Sequence, residues 1–596
     1  MKRWIGPVLI AMSGLTMLWW SWGRWPDVLI DFGTQLYTAW QLETGKALFT
    51  DIFYFKGPLS PYLNALWFRL FGVSLLTLVL CNLAIVTAMT ALLYRLLSDI
   101  SDQFSATLAC LVFVAVFAFG QLVGIGNYNF ICPYSHEVTH GVALALASIA
   151  CFSGYCRSRT LGWVAGAGLT LGLVFLTEAP VFLAAGVALG TGFAFTIWLE
   201  RPSFSRFCRV GGVLAGSVAI PPVMAFVLLC RVMPRSQAFL GTMGSWPWIA
   251  RGEVFALPFH KMWMGTQDIG ASLGIVLAWT ARYALIFGPA AVCGLLLRKP
   301  GRLRTGISAM TALAAGGLVL SHLGTLRSGD MARPLPLVMM GFSAAWLAAS
   351  VRFRNDAGTS VRCIVSLVMT VFAFALMWKM LLYARIYNYG FALAMPATLL
   401  FVVALVGWVP SSITRWGGYG GIVRAVGVLV ILATVAANLG QVGALFSYKR
   451  VSVGTGADAF LADHRGLAVN EALKEIATRV GPHETLAVLP HGAMLNYLSR
   501  RVNPTPYPNL DPLLLGLSDE DRILASLAAR PPDYIALVSL NVAEHGARAF
   551  GDDFGPRIYS WVQKTYHEIR LIGAPPFQGT GFGILLLERA GPPTGD

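Results

Sequence analysis

Long apolar runs separated by short polar stretches fill the first 450 positions, and beyond them short apolar runs alternate with amphipathic ones. A membrane-spanning helix needs about 20 predominantly apolar residues. On that measure the pattern predicts thirteen spans, near 4–22, 74–97, 104–123, 138–156, 162–178, 180–198, 210–230, 272–297, 305–323, 335–351, 363–383, 390–410 and 422–446. The opening MKRWIGPVLIAMSGLTMLWW resembles a signal sequence but lacks a small-residue cleavage site, so it reads as an uncleaved first span. In the loop 23–73, TQLYTAWQLETGKALF and SPYLNALWFRLFG carry apolar and aromatic residues at helical spacing with few charges. They predict helices lying on the membrane surface; the alternative, one of them as a short span, would break the charge alternation of the later loops. From 451 to 596 the pattern predicts a helix near 468–480, strand TLAVLP, helices GAMLNYLS and EDRILASLAAR, strand DYIALVSL, helix RIYSWVQKTY and strand GILLLER. That alternation predicts a helix-covered α/β unit, a second domain after a transmembrane one of 1–450.

Composition sharpens this picture. The chain is 56% hydrophobic and 12% charged, against about 25% charged in an ordinary soluble domain, which excludes a soluble enzyme of the usual kind and equally a disordered chain. The net charge of +15 is split: residues 1–450 hold 32 Lys and Arg against 13 Asp and Glu, and residues 451–596 hold 12 against 16. A nucleic-acid binder would place its basic excess on a soluble module, so no nucleic-acid partner is expected; the excess belongs to topology and lipid head groups. With Lys2 and Arg3 cytoplasmic, every second loop is basic: Arg95, then Arg157 and Arg159, then Arg201, Arg206 and Arg209, then Arg298, Lys299, Arg302 and Arg304, then Arg352, Arg354 and Arg362, then Arg415. An odd number of spans puts residues 451–596 on the side opposite the N-terminus. The nine Cys have no metal spacing and suggest no disulfide framework.

The scarce acids cluster. Of the 13 in the first 450 residues, Asp27, Asp31, Glu43, Asp51 and Glu137 fall in the first two external loops, 23–73 and 124–137. The first loop reads WPDVLIDFGTQLYTAWQLETGKALFTDIFYFKGPLSPYLNALWFRLFG. It holds an acid just after the first span, a helix containing Tyr37, the series G-x-x-L-F-x-D, an aromatic run, Lys56-Gly57-Pro58 and an apolar helix ending in Phe-Gly. This order resembles the first external loop of the GT-C superfamily of polyprenyl-phosphate-sugar-dependent membrane glycosyltransferases, nearest to its protein mannosyltransferase and aminoarabinose transferase branches. GLVFLTEAPVFLA and RIYNYGFALAMPA resemble a recurrent span and a late external loop of the same superfamily.

The resemblance implies a GT-C-like membrane fold. It also implies transfer of a sugar from a polyprenyl-phosphate carrier to an envelope lipid, glycan or protein acceptor on the extracytoplasmic face of a bacterial inner membrane. It puts the catalytic carboxylate at Asp31, a general base for the acceptor hydroxyl in an inverting displacement; Asp27 is the neighbouring alternative, and capping of the next helix is a second role for Asp31. Asp51 is implied to shape the site and Lys56 to meet the donor phosphate, although relatives often carry Lys-Pro-Pro where this chain has Lys-Gly-Pro. Glu137, with Tyr134 and His136, falls where the superfamily has another acid near the site, and is a second catalytic candidate. Asp51 and Glu137 are the candidate ligands of a divalent metal, a candidate cofactor, though a catalytic metal usually takes three or more protein ligands. A leaving lipid phosphate calls for Arg, which pairs phosphate oxygens bidentately: Arg327 and Arg333 flank one short external loop, and Arg385, Asn388 and Tyr389 lie in another. Trp246, Trp248 and Trp263 fit sugar stacking or, more simply, an aromatic membrane belt. Arg282, Lys379, Arg424 and Glu178 lie in or near apolar runs without an assigned role. The competing readings are a transporter or flippase of lipid-linked sugars, which internal repeats would support and which the sequence does not show, and a non-catalytic glycan-binding scaffold.

Overall fold

The structure, a computed structural model, describes residues 2–123, 128–252, 258–297, 328–543 and 546–590, together with positions 306, 310, 314 and 317. The chain opens with α1 (Lys2–Ser21), α2 (Phe32–Glu43), α3 (Leu59–Phe71), α4 (Leu75–Ile100), α5 (Gln103–Val112), α6 (His136–Ser158), α7 (Leu161–Phe175), α8 (Ala179–Glu200) and α9 (Phe204–Leu229). Later long helices are Ile269–Leu296, Leu335–Arg352, Ala357–Leu376 and Gly421–Tyr448. Among the described residues ten helices are long and apolar enough to cross a membrane, and Gln103–Ala118 and Leu161–Phe175 are shorter apolar helices. The protein is an α-helical multi-pass membrane protein with a small C-terminal α/β unit. Every predicted span falls on a described helix except 305–323, of which only positions 306, 310, 314 and 317 are described; the basic run 298–304 and Arg327 lie outside the described residues.

Helix starts follow the sequence. Ser74 Oγ accepts from Thr77 N at 3.1 Å, Asp102 Oδ1 from Ser105 N at 2.9 Å and Asp268 Oδ1 from Ala271 N at 2.8 Å, each satisfying an N–H that a helix start leaves orphaned. Burial sorts the spans: Gly390–Arg415 is 83% buried over its apolar window and His136–Ser158 72%, against 17% for Phe204–Leu229. The first two form the protein's centre, and the last presents most of its apolar surface outward. Two stretches widen into π-helix, Phe113–Ala118 and Ala404–Trp408. A π turn disturbs the regular backbone ladder, and Arg424 answers it, its Nε donating to Val406 O at 2.7 Å while its Nη2 lies 3.4 Å from Asp102 Oδ2. Arg424 is therefore architectural.

The two amphipathic segments of the first loop are α2 and α3, but only α3 keeps the surface character expected of both, exposing Leu66, Leu70 and Phe71. Helix α2 is buried along most of its length. The C-terminal unit covers it, and at Gly33 an added Cβ would come within 2.5 Å of Met494 N.

That unit opens with a hairpin of β1 (Val451–Val453) and β2 (Phe460–Ala462) and continues into a four-stranded sheet. The sheet order is β3 (Leu486–Leu489), β4 (Tyr534–Val538), β6 (Gly583–Arg589), β5 (Tyr566–Gly573), with β3 and β4 parallel and the other pairs antiparallel. LAVL and YIALV are apolar at every position because both faces are covered. Ala487, Leu489, Ile535 and Leu537 pack with Ile523, Leu527, Ile558 and Val562. Val488, Ala536 and Val538 face Val469, Ala472 and Ile476, in a core continuous with that of the membrane part. Strands β1, β2 and β5 escape prediction because two have only three residues and the third is an edge strand with His567, Glu568 and Leu571 exposed.

Candidate active site

Between α1 and α2 the chain makes a short connector. Asp27 Oδ1 accepts from Leu29 N at 2.9 Å and Ile30 N at 3.1 Å, an Asx turn, and its Oδ2 takes Arg465 Nη2 at 2.7 Å. Both oxygens of Asp27 have structural work. Asp31 follows with φ 63° and ψ −100°, preceding α2 without a side-chain cap hydrogen bond. For a residue with a Cβ this conformation costs on the order of 1–3 kcal/mol and survives only where its surroundings hold it. Asp31 lines a small cavity with Trp25, Asp27, Gln121, Cys132 and Lys449. Lys449 reaches the same connector from the end of the last span, donating to Arg24 O at 2.6 Å and Pro26 O at 2.9 Å. Burial pulls its ammonium down to about 8 against the pull of Asp27 and Asp463.

One helical turn further, Gln35 ties this region to the second loop: its Oε1 shares a hydrogen bond with His136 Nδ1 at 2.9 Å and its Nε2 donates to Tyr134 O at 3.3 Å. The other ring nitrogen of His136 lies 3.0 Å from Asn82 Nδ2, and Phe32 stacks on its ring. His136 is thus held between polar partners in the core, and Tyr134 packs edge-on against Tyr389 at 4.8 Å.

Lys56 sits at the centre of the second group. Its Nζ donates to Ser135 Oγ at 2.7 Å and Tyr389 OH at 3.0 Å, and lies 3.2 Å from Glu178 Oε2 and 3.8 Å from Glu137 Oε2. Glu137 also accepts from Ser135 Oγ at 2.7 Å and from the Tyr54 hydroxyl. Burial alone would drive the Lys56 ammonium down; Glu178, Tyr389 and Glu137 outweigh it and hold it well above the usual lysine range. Lys379 completes the set, its Nζ 4.7 Å from the Tyr389 ring centre. The span before it ends at Leu376, which leaves Lys379 beside the site instead of within an apolar run. The departure from Lys-Pro-Pro has a cause here. Gly57 N donates to Thr177 O at 3.0 Å, a bond proline cannot make, and a Cβ at Gly57 would sit 2.1 Å from Leu176 O.

The third group is cationic. Arg385 is buried, its guanidinium 3.2 Å from the Trp263 ring centre, 4.6 Å from that of Tyr383 and 4.8 Å from that of Tyr387. Its Nε and Nη2 have no hydrogen-bond partner among the described residues, and burial holds it below the usual arginine range. Arg333 lies over Tyr383 at 3.7 Å and pairs with Asp330 at 3.0 Å. Asn388 turns the loop in the left-handed region, φ 49°. The next residue after Arg385, Ile386, lines an apolar cavity of about 690 Å³ between the helices. Tyr283, Phe401, Leu405 and Val430 form its walls, and Arg282 and Asp330 are among its few charged residues.

Three sequence expectations change. Asp51 is exposed and its Oδ2 accepts from Ala47 N at 2.8 Å, whereas Glu137 is fully buried on Lys56, Ser135 and Tyr54. The two proposed metal ligands are engaged separately, and no group of three or more His, Cys, Asp or Glu among the described residues is arranged to hold a metal. These residues do not fit a metal site. Tyr37 belongs to the junction with the C-terminal unit, its OH accepting from Asn503 N at 3.0 Å. Trp246 packs against Phe175 and Phe182, and Trp263 carries Arg385. The sequence reading named Glu178 without a role and passed over Tyr54, Ser135, Lys449 and Arg465. The only signal for Lys449 and Arg465 was a cation following the last span.

No family model matches the chain, and no curated protein matches it. Solved structures are similar in fold. The Archaeoglobus fulgidus oligosaccharyltransferase tethered to an acceptor peptide containing the NVT sequon is 14% identical, over 98% of this chain and 74% of that one, with a TM-score of 0.49. The same enzyme in complex with Zn and sulfate is 14% identical over 97% and 72%, with a TM-score of 0.48. ArnT from Cupriavidus metallidurans bound to undecaprenyl phosphate is 13% identical over 97% of each chain, with a TM-score of 0.44.

Proposed function

We propose that the protein is a membrane glycosyltransferase. It takes a sugar from a polyprenyl-phosphate carrier and adds it to a lipid, glycan or protein hydroxyl at the extracytoplasmic face of a bacterial inner membrane, with the N-terminus cytoplasmic and residues 451–596 outside. The observation that carries this reading is a juxtaposition: buried Arg385 has two donor nitrogens, Nε and Nη2, without a partner among the described residues, and its neighbour Ile386 lines the apolar cavity of about 690 Å³. A buried guanidinium in this state calls for an anion, and a cavity of that size and character suits an isoprenoid chain. A lipid phosphate supplies both.

In the reaction, the acceptor oxygen attacks the anomeric carbon as the bond from that carbon to the phosphate oxygen breaks. The phosphate leaves with the electron pair, and the Asp31 carboxylate takes the acceptor's proton. One displacement inverts the anomeric centre. Arg385 faces the leaving phosphate, and the network of Lys56 with Ser135, Glu137, Glu178 and Tyr389 braces the loops that carry the site. We assign the base to Asp31 over Asp27, whose oxygens hold Leu29 N, Ile30 N and Arg465 Nη2, while Glu137 serves through Lys56. No step runs through a metal.

The test joins two measurements. Native mass spectrometry of the purified protein with undecaprenyl phosphate should show a bound lipid that Arg385→Gln weakens about tenfold or more. Envelope glycolipids and glycans from cells with and without the protein should differ by one sugar, restored by the wild type and not by Asp31→Asn. Identical envelopes in every fraction would overturn the assignment as an enzyme, and lipid binding unaffected by Arg385→Gln would overturn the assignment of the phosphate site.

A further inference from the structure

The ties that hold the Gly23–Asp31 connector come largely from the far end of the chain. Leu461 N donates to Gly23 O at 2.8 Å and Met494 N to Leu29 O at 3.2 Å. Lys449 holds the carbonyls of Arg24 and Pro26. Arg465 reaches Asp27 Oδ2 with Nη2 at 2.7 Å and is itself fixed by Asp463, whose oxygens lie 3.0 Å and 3.1 Å from its Nε and one of them 2.9 Å from its Nη2. A bidentate Arg–carboxylate pair presets the guanidinium plane, so the remaining reach to Asp27 is rigid. Beneath these bonds Trp25, Val28, Leu29 and Phe32 are buried in a core shared with Val453, Phe460 and Met494. A non-glycine residue at φ 63° persists only where its surroundings over-determine it, and here the connector that leads into Asp31 is tied at Gly23, Asp27 and Leu29 by the C-terminal unit and at Arg24 and Pro26 by Lys449, the cation that follows the last span.

We infer that the C-terminal unit is a working part of the site: Arg465, preset by Asp463, and Lys449 are positioning residues that clamp the connector and keep Asp31 in its backbone conformation. The inference rests on the reading of Asp31 as the base for its consequence in catalysis, but the clamp itself is a mechanical claim that can be judged separately. If it holds, the unit does more than bind an acceptor or cover α2, and a chain ending before it would carry a site whose key turn is slack. The expected kinetic signature is a fall in turnover with little change in donor KM, because Arg465 touches neither substrate.

A native thiol reports on the clamp. Cys132 is buried and lines the same small cavity as Asp27, Asp31 and Lys449, whereas Cys110 is buried within α5, and Cys208 is exposed. The full-length protein in nanodiscs is treated with a maleimide, and labelling of each cysteine is followed by mass spectrometry in the wild type, Arg465→Met, Arg465→Lys and Asp27→Asn. The clamp predicts labelling of Cys132 about tenfold faster in Arg465→Met, intermediate in Arg465→Lys, and unchanged labelling of Cys110 and Cys208. Asp27→Asn, which keeps the Asx turn and loses only the ion pair, should show the same local rise and serves if Arg465→Met does not fold. Unchanged Cys132 labelling in both variants overturns the clamp, as does an equal rise at Cys110, which would mean general loosening. None of these outcomes depends on sugar transfer: retention of transfer by Asp31→Asn would remove the base and leave the clamp standing.

Discussion

Two polar regions meet at the head of the membrane bundle, and they are built on opposite plans. Around Lys56, two carboxylates, a serine and a tyrosine close on one ammonium, so the charges are answered inside the protein and the backbone at Gly57 is locked to Thr177. Around Asp31 the backbone is held in a costly conformation by bonds from a different part of the chain. A buried ion network of the first kind is weak evidence for chemistry, since its members need one another to offset the loss of water. A strained acid kept in place from outside is better evidence, because nothing in local folding favours it. The difference assigns architecture to the Lys56 group and chemistry to the Asp31 turn.

The largest effects should therefore separate. Asp31→Asn removes a proton acceptor with almost no change in shape, and transfer should fall by roughly 10²–10⁴-fold while the thermal unfolding midpoint of the purified protein barely moves. A variant that transfers normally would cancel the contrast from one side. Lys56→Met does the reverse. It strands Glu137 and Glu178 in the core, and removal of one partner from a buried ion network costs about 3–5 kcal/mol, read as a large drop in unfolding midpoint. Adding Glu178→Gln should recover part of that loss, because one unpaired charge goes with it. If Lys56→Met unfolds like the wild type yet loses phosphate-lipid binding, the ammonium belongs to the donor and the architectural reading is wrong.

The membrane fold was legible in the sequence, but this division was not, since Lys56 reads there as a contact of the donor phosphate. Hydropathy placed the described long helices, with its largest offset at 363–383 against Ala357–Leu376, since each is a continuous apolar run and several are opened by a cap such as Ser74, Asp102 or Asp268. The clustering of Asp27, Asp31 and Glu137 in two loops picked out segments that the fold brings to one end of the bundle, Gln35 of the first bonding Tyr134 and His136 of the second. What could not be read was pairing over distance. Lys56 and Glu178 are separated by 122 positions and Lys56 and Tyr389 by 333, and nothing in the spacing of either segment announces the other. Burial of α2 was missed for the same reason: its amphipathic pattern suits a membrane surface, but a second domain supplies the apolar cover. Asp51 was overvalued because loop motifs show which acids are near a site in sequence, not which are turned towards solvent.

Smaller substitutions sharpen the edges of the contrast. Gly57→Ala puts a Cβ where Leu176 O stands 2.1 Å away, and forced overpacking of this kind costs typically about 1–3 kcal/mol. The unfolding midpoint should fall while the pH profile of transfer keeps its shape, because the clash acts on the scaffold and leaves the base alone. A changed pH profile would show that the Lys56 loop reaches the reacting groups. The smallest effect belongs to Asp51→Asn. Its carboxylate is exposed and bonded only locally, to Ala47 N, and an asparagine keeps that acceptor, so stability should stay within about 0.5 kcal/mol of the wild type and transfer within about twofold. Titration with a divalent ion should give the same transfer curve for both proteins. A steeper metal requirement in Asp51→Asn would move the boundary of the site outward to include this turn, and would make the strained acid at position 31 one of two carboxylates at work instead of the only one.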